Sequence, residues 1–443
     1  MTTAIGIILL ITFFAFIYYC ARGYNLMLGL FVMAVLWSIL GAIGGTVTWQ
    51  TVNQTIFNDG PTSFGPTAIY IIFGSWFGRV LIETGIAGTI IRKAVELGGD
   101  RPSITCILLC IVTALIFTTA YGAGAVVAIG VIVFPIMLSL GIPKGVASAS
   151  FCMSVGCGLY FNQSLLTQAA GSMPMPGTGE IFFKGDNAAA EWSSWYKFAA
   201  VAFAIHLVSI ILMVVLSSVL GKKKKGKVHA WAANTPDTSK NVNFVACLTP
   251  IIPVTLSIAF KIQQIPSILI AVIWALIWTG NFKNYNKIAE IVQKTFHDGV
   301  SDVGLVLAFL VFLQMFIKAA GSVKGLLSPI VAPIIPHNTF LLFLIFGILG
   351  FLALFRGPLT IWGAGIATFV IVADVTGLPL TVLYPLFYIL CCTVTTNVCP
   401  TQSWNMWAIG YTGVSTKEFM LKTLPYALPC ALVLEIVAYF MFV

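Results

Sequence analysis

The sequence predicts an all-α integral membrane fold with two inverted-topology repeats, broken or re-entrant helices, and about 11–14 membrane segments. Three observations predict it. The first is composition: of 443 residues, 59% are hydrophobic and 8% charged, and the mean hydropathy is +1.00. A soluble chain carries roughly 25% charged residues. Apolar runs near the ~20-residue spanning length recur throughout, unlike the short alternating segments of a β-barrel. The second observation is a pair of uncharged polar stretches that interrupt apolar runs, Gly156 to Gln168 and Thr393 to Asn405. Pro400 removes a backbone donor and frees carbonyls that lipid cannot satisfy, so such a stretch packs on protein or lines a wet cavity. The third is an internal echo. Asn162-Gln163-Ser164 precedes Thr401-Gln402-Ser403 by 239 positions, and the same offset relates Asn58-Asp59-Gly60 to His297-Asp298-Gly299 and Arg79 to Lys318. Gly141-Ile142-Pro143 pairs with Gly377-Leu378-Pro379 at 236, a drift that small loop insertions produce. The expected organisation is a first transmembrane repeat over 1–220, a cytoplasmic basic linker over 221–242, and a second, inverted repeat over 243–443.

In chain order, Ala4 to Tyr19 reads as a first spanning helix, with no small-residue cleavage site behind it. Tyr24 to Ala42 pairs with it, and Gly44 to Ser63 is polar. Gly65 to Thr84 carries Arg79 and Glu83, whose four-residue spacing suits a pair along one helix, near the interface. Arg92, Lys93 and Arg101 surround the Gly98-Gly99 loop. Ser103 to Thr119 and Gly124 to Leu140 are spans separated by Thr118 to Gly124, whose glycines permit an unwound backbone. Met173 to Trp195 is slightly acidic and expected outside the bilayer; Lys197 to Leu220 spans again. Lys222 to Lys227 opens the linker, as a topology determinant or a lipid-binding run. In the second half, Phe244 to Ala259 and Ile265 to Thr279 pair. Lys283, Lys287 and Lys294 follow on an amphipathic helix, and Gly304 to Ala320 and Phe340 to Phe355 are spans. Ile361 to Val375 carries a Gly363-Ala364-Gly365 kink, Leu378 to Cys392 leads into the second polar stretch, and Thr423 to Phe442 closes the chain.

Charge predicts orientation, because loops rich in Lys and Arg stay cytoplasmic. Arg92 to Arg101, Lys222 to Lys227, Lys283 to Lys294 and Lys417 to Lys422 are then inside. Their counterparts Gly44 to Ser63 and Met173 to Trp195 carry the opposite bias, as inverted halves require. The net charge of +9 sits in these loops and does not point to nucleic acid. The ten cysteines lie mostly in apolar segments without a CxxC pair, so packing explains them and no metal or disulfide is expected. There is no phosphate loop, no HExxH and no paired carboxylate inside a span, so neither an enzyme nor a cofactor is expected.

Paired broken segments point to a secondary transporter with substrate between the halves. Arg356 follows an apolar run and precedes Gly357-Pro358. A guanidinium there suits a carboxylate, or else it is an interfacial arginine reaching headgroups. Asn162, Gln163, Ser164, Thr167, Thr118, Tyr121, Thr360, Thr396, Asn397, Thr401, Gln402 and Ser403 are candidate substrate contacts. Thr395 belongs to the same polar stretch. Singly, each such residue is as well explained as a cap or an interhelical bond. Asn162 is expected to face Thr401 across one central cavity. Asp59, Glu83, Asp298 and Asp374 are the candidate coupling acids. Asp59 and Asp298 are more simply read as helix caps, and Asp374 is assigned to the end of its span.

Ile72 to Gly85, with its glycines and terminal Glu83-Thr84-Gly85, resembles the glycine-rich segment of the gluconate permease family, in the ion-transporter superfamily with the citrate carriers. Ser415-Thr416-Lys417-Glu418-Phe419 is similar to its S-x-K-E-T phrase, and Arg356 to Gly365 resembles its GSxTVA segment. The resemblance covers most of the chain. It implies two inverted halves with re-entrant hairpins and proton-linked uptake of sugar acids such as gluconate, or D-serine in some members, in the bacterial cytoplasmic (inner) membrane. The second break departs from the family's N-D-S-G, reading Thr401-Gln402-Ser403-Trp404 without the carboxylate. The coupling ion, H+ or Na+, therefore stays open, as do exchange and the remote acids. The expected partners are a small organic anion and the lipid bilayer. A homodimer and a channel are further alternatives.

Overall fold

A computed structural model describes residues 2–99, 101–220 and 242–443. The run Lys222 to Lys227, and with it nearly all of the expected linker, lies outside the described residues. Every regular element among the described residues is helical. Helices α1 (Thr2–Ala21) and α2 (Leu26–Ile43) are apolar on all faces. The 20 residues of α1 rise about 30 Å, the thickness of a hydrocarbon core. A π-helical segment (Thr51–Asp59), α3 (Gly60–Ser63) and α4 (Gly65–Glu83) follow as one 33-residue apolar stretch. The Gly44 to Ser63 segment, read as merely polar, is therefore largely helical. Pro61 and Pro66 fall in first turns, where no N–H is needed.

Next come α5 (Ile86–Gly98), α6 (Pro102–Phe117), α7 (Ala123–Ser139), α8 (Lys144–Gly158), α9 (Gln163–Ser172) and α10 (Ala188–Leu220). The second half holds α11 (Ile252–Phe260), α12 (Gln264–Trp278), α13 (Tyr285–Val331), α14 (Thr339–Ile348), α15 (Gly365–Thr376), α16 (Leu380–Leu390), α17 (Ser403–Thr412) and α18 (Thr416–Phe442). Thr2–Ala21, Leu26–Ile43, Thr51–Glu83, Ala188–Val219, Tyr285–Ile334 and Thr416–Phe442 are each long and apolar enough to cross a membrane. Shorter apolar helices of 10–17 residues cannot span ~30 Å singly, and most of them are paired across breaks.

Two broken elements, α8–α9 and α16–α17, cross. Tyr384 and Tyr388 on α16 donate to the carbonyls of Leu166 and Leu159, both at 2.9 Å. Gly156 lies against Asn397 and the Cys392 carbonyl, and Ser148 bonds Thr412 at 2.8 Å. Numbers rise along α8–α9 as they fall along α16–α17, so the two broken elements run antiparallel through the centre. That is the relation inverted repeats require. Helices α10 and α18 are antiparallel too, with Ser209 donating to the Tyr426 carbonyl at 3.0 Å and Trp195 stacked on Phe442. Helices α6 and α8 run side by side towards their breaks, with Cys106 beside Ser150 and Gly158 against Ala114 and Phe117. The helix N-caps Asn162 and Gln402 are thus the matched pair, one residue from the register that joins Asn162 to Thr401.

Three expected elements change. The helix expected over Lys283 to Lys294 and the Gly304 to Ala320 span merge into one, the 47-residue α13, with Lys283 left in a 3₁₀ turn just before it. Its glycines do not break it, and Gly299 instead seats the backbone of Trp76. Phe340 to Phe355 is not a continuous span: α14 and the 3₁₀ turn Gly350–Arg356 meet at 58°. Helix α10 begins at Ala188, well ahead of Lys197, and its first-turn Glu191 accepts the Phe183 N–H at 2.6 Å.

Gly156→Ala should overpack the crossing, at about 1–3 kcal/mol, and lower the thermal unfolding midpoint in detergent. Gly321→Ala on α13, where a methyl meets open space, should leave the midpoint unchanged or raise it.

Candidate functional site

Each break frees backbone groups, and side chains from the neighbouring break satisfy them. In the first half, Asn162 Nδ2 donates to the carbonyls of Phe117 (3.0 Å) and Ala120 (2.8 Å), while its Oδ1 caps α9 at Leu165 N. This ties the α8–α9 break to the α6–α7 break, where Gly122 takes φ +99°. Tyr121 donates to Gln168, and Thr118 and Thr119 bond the carbonyls of Leu115 and Pro250. Ser164 donates to the Tyr70 carbonyl and accepts from Gln264 (2.7 Å). Thr167 bonds back to Gln163 O. These groups are spent on the fold. Gln163 differs: Nε2 donates to the Tyr196 hydroxyl at 2.6 Å, but Oε1 has no partner.

In the second half, Phe355 and Arg356 both adopt left-handed backbone, at φ +53° and +59°, a cost of order 1–3 kcal/mol each. The chain behind them closes through Ala364 N to Arg356 O and Gly365 N to Gly357 O. Gly363 and Gly365 are pressed against the backbone of Arg356 and Thr360 with no room for a Cβ, which accounts for the Gly363-Ala364-Gly365 motif. Arg356 Nη2 reaches Gln402 Oε1 at 3.1 Å and Nη1 the Trp362 carbonyl at 3.5 Å. Thr395 donates to Thr360, and the Phe355 N–H to Cys399 Sγ. Gln402 with Arg356 thus stands where Asn162 with Phe117 and Ala120 stands in the other half.

Arg356 is half-buried, its surroundings include Tyr121, Cys20, Cys391 and Cys399, and no carboxylate pairs with it among the described residues. Both of its contacts are neutral. A unit charge at ~4 Å in a partly shielded site is worth about 4 kcal/mol, so the guanidinium is the strongest unspent attraction at the breaks. The other candidates are less available. Thr396 and Asn397 are fully buried and bonded to each other and to neighbours. Thr401 contacts Cys399, and Ser403 is exposed. Asn162 is fully buried and bonded, so it does not face Thr401 across a cavity. A separate cavity of about 780 Å³ borders Gln163, Thr167, Gln264, Tyr196, Lys197 and Lys261 but not Arg356.

The four candidate acids share no bond with either break. Glu83 pairs with Lys294 at 2.8 Å and Arg79 with Asp302, so Arg79 and Glu83 do not pair along their helix. Asp374, at the end of α15, meets Lys324 at 2.7 Å and Ser328 at 2.5 Å. Asp59 makes no capping bond and accepts from Asn58. Asp298 lies inside α13 beside His297. The capping reading fails for both, because helix continues through these positions.

Three residues were missed. Asp302 takes a two-pronged contact from Arg79, at 2.6 and 2.5 Å, and sits against Gly124 in the first turn of α7, where a helix favours an anion. His206, fully buried on α10, bridges Tyr160 (Nδ1, 3.3 Å) and Asn397 (Nε2, 3.0 Å). An amide nitrogen only donates, so Nε2 accepts, Nδ1 carries the proton and the ring is neutral. Glu435 is fully buried on α18. For the last two, a lone ionisable residue inside a long apolar run was the available signal.

No protein-family model matches the chain, and no curated protein matches it in sequence. In structure the chain is similar to the Alcanivorax borkumensis YdaH transporter, whose crystal structure is described as revealing an unusual topology. The TM-score is 0.61 at 13% identity, over 87% of this chain and 86% of that one. The likeness establishes a shared fold.

Asp302→Ala should lower the unfolding midpoint more than removal of the exposed Lys294–Glu83 pair, because it strands a partly buried guanidinium. The double variant Arg79→Ala/Asp302→Ala should be less damaged than the sum of the singles. Additive losses in a double-mutant cycle would show that the pair is not coupled.

Proposed function

We propose that the chain is a secondary active transporter for a small organic anion, a sugar acid such as gluconate, working by proton symport and alternating access in the bacterial cytoplasmic membrane. Residues 1–220 and 243–443 act as the inverted halves, with the lysine-rich loops inside. The observation that carries this reading is the unpaired Arg356 guanidinium in a strained break, one bond from the N-cap of α17. A planar fork of donors fits a carboxylate in two-pronged fashion. Support comes from the gluconate-permease phrases in the sequence and from a fold shared with a transporter. The cavity beside Gln163 and Gln264 is lined in part by amide and hydroxyl side chains, Thr167 and Ser193 among them, which suit the hydroxyls of a sugar acid.

A sodium-coupled or exchange carrier for another organic acid or amino acid is favoured by one observation. Thr401-Gln402-Ser403 contains no titrating group, and hydroxyls and carbonyls at a break can hold a cation instead. A channel is less well supported, since Asn162, Thr396 and Asn397 are packed shut. No side-chain arrangement at the breaks favours catalysis.

Uptake of gluconate into proteoliposomes should be driven by an imposed pH gradient and not by a sodium gradient. The opposite result would move the coupling to sodium. Arg356→Ala should weaken gluconate binding at least tenfold, or ~1.4 kcal/mol, and Arg356→Lys should recover little of it, because lysine lacks the fork. Binding by Arg356→Ala within about twofold of wild type would make the arginine structural only.

A further inference from the structure

We propose that Glu435 is the proton-binding group of the carrier, neutral in this conformation, and the residue through which a pH gradient acts on transport. The proposal rests on the proton-coupled reading above and assigns that coupling to a site outside the breaks. Glu435 lies on α18, seven residues, or about 10 Å, before its last residue, Phe442. Its side chain is fully buried, and neither carboxylate oxygen has a hydrogen-bond partner. An unpaired charge in a protein interior costs several kcal/mol, and a proton removes that charge. The neutral acid still lacks hydrogen-bond partners, so it contributes nothing to packing that an apolar side chain would not.

The groups around it connect this position to the breaks. Tyr160 and Cys391 are titratable side chains near enough to feel a charge on Glu435. Cys391 opens the π-helical turn Cys391–Thr395 that leads into the second break. Tyr160, in the first break, bonds His206, and His206 bonds Asn397 in the second. The other titratable groups on elements packed against α18 include His206 on α10, Cys152 and Cys157 on α8, Tyr384 and Tyr388 on α16, Cys392, and Arg356, which is engaged by Gln402 and Trp362. Helix α14 offers none. No lysine or arginine forms an ion pair with Glu435 among the described residues, so neutralisation falls to a proton. A conformation that opened this region to water would release the proton, and closure would require its return. That is the property a symporter needs in order to couple closure to protonation.

Two measurements test this on the full-length protein. The infrared difference spectrum of wild type against Glu435→Gln at neutral pH should contain the carbonyl band of a neutral carboxylic acid. Absence of that band means that Glu435 is ionised and overturns the proposal. In proteoliposomes, Glu435→Gln should lose at least tenfold of the gluconate accumulation driven by a pH gradient. Its gluconate exchange should lose its pH dependence, and Glu435→Asp should restore part of the response. Equal infrared helix content and unfolding midpoint show that the variant is folded. Wild-type uptake indifferent to the pH gradient overturns the proton-coupled reading itself, and this proposal with it. Drive that persists in Glu435→Gln overturns this proposal alone, as does drive lost in His206→Gln but kept in Glu435→Gln.

Discussion

In a bilayer, every N–H and C=O released by a broken helix must find a partner in protein, and the rest of this structure depends on that constraint. The broken elements α8–α9 and α16–α17 are satisfied partly by their own residues and partly by residues of other elements. Asn162 supplies the carbonyls of the α6–α7 break, and two tyrosines of α16 supply those of Leu159 and Leu166. Trp404 donates to the Thr396 carbonyl, and Asn405 to that of Cys399. Most polar side chains at the centre are therefore fixed by backbone demands. Among the groups left over, Arg356 is the clearest remainder, a cation whose two contacts are both neutral.

The same accounting distinguishes how the periphery and the centre are held. Arg79–Asp302 and Lys294–Glu83 fasten α4 to α13, and Lys324–Asp374 fastens α15 to α13. These links join elements remote in sequence around the long α13. The centre, by contrast, is held by neutral hydrogen bonds around Asn397, His206 and Tyr160. Such bonds contribute about 1 kcal/mol each net.

Much of the fold was legible because lipid restricts what a sequence can be. Pro400 and Gly357-Pro358 advertise breaks, and the matched polar stretches announce that the breaks come in pairs. What was not legible is pairing across distance. Asp302 is 223 positions from Arg79, and nothing local separates it from the Asp298 preceding it. The split of α13 into two elements was an error of the same origin: Gly299 and Gly304 look like punctuation until Trp76 is seen seated on the first. Asn162 and Ser164 look like substrate groups in the sequence, which shows donors and acceptors but not whether the backbone has already taken them. Glu435 and His206 lie inside α18 and α10, away from any break, and in sequence each is only a lone ionisable residue in an apolar run.

The central claim is that a carboxylate completes Arg356, and it is tested most directly on the unaltered protein with two polyols of one skeleton. Equilibrium binding of gluconate should be compared with that of glucitol, which keeps the hydroxyls and lacks the carboxylate. Gluconate should bind at least tenfold more tightly, ~1.4 kcal/mol or more, and glucitol should not displace it at equal concentration. Equal affinities would contradict the account, because recognition would then owe nothing to the charge that the breaks leave unpaired.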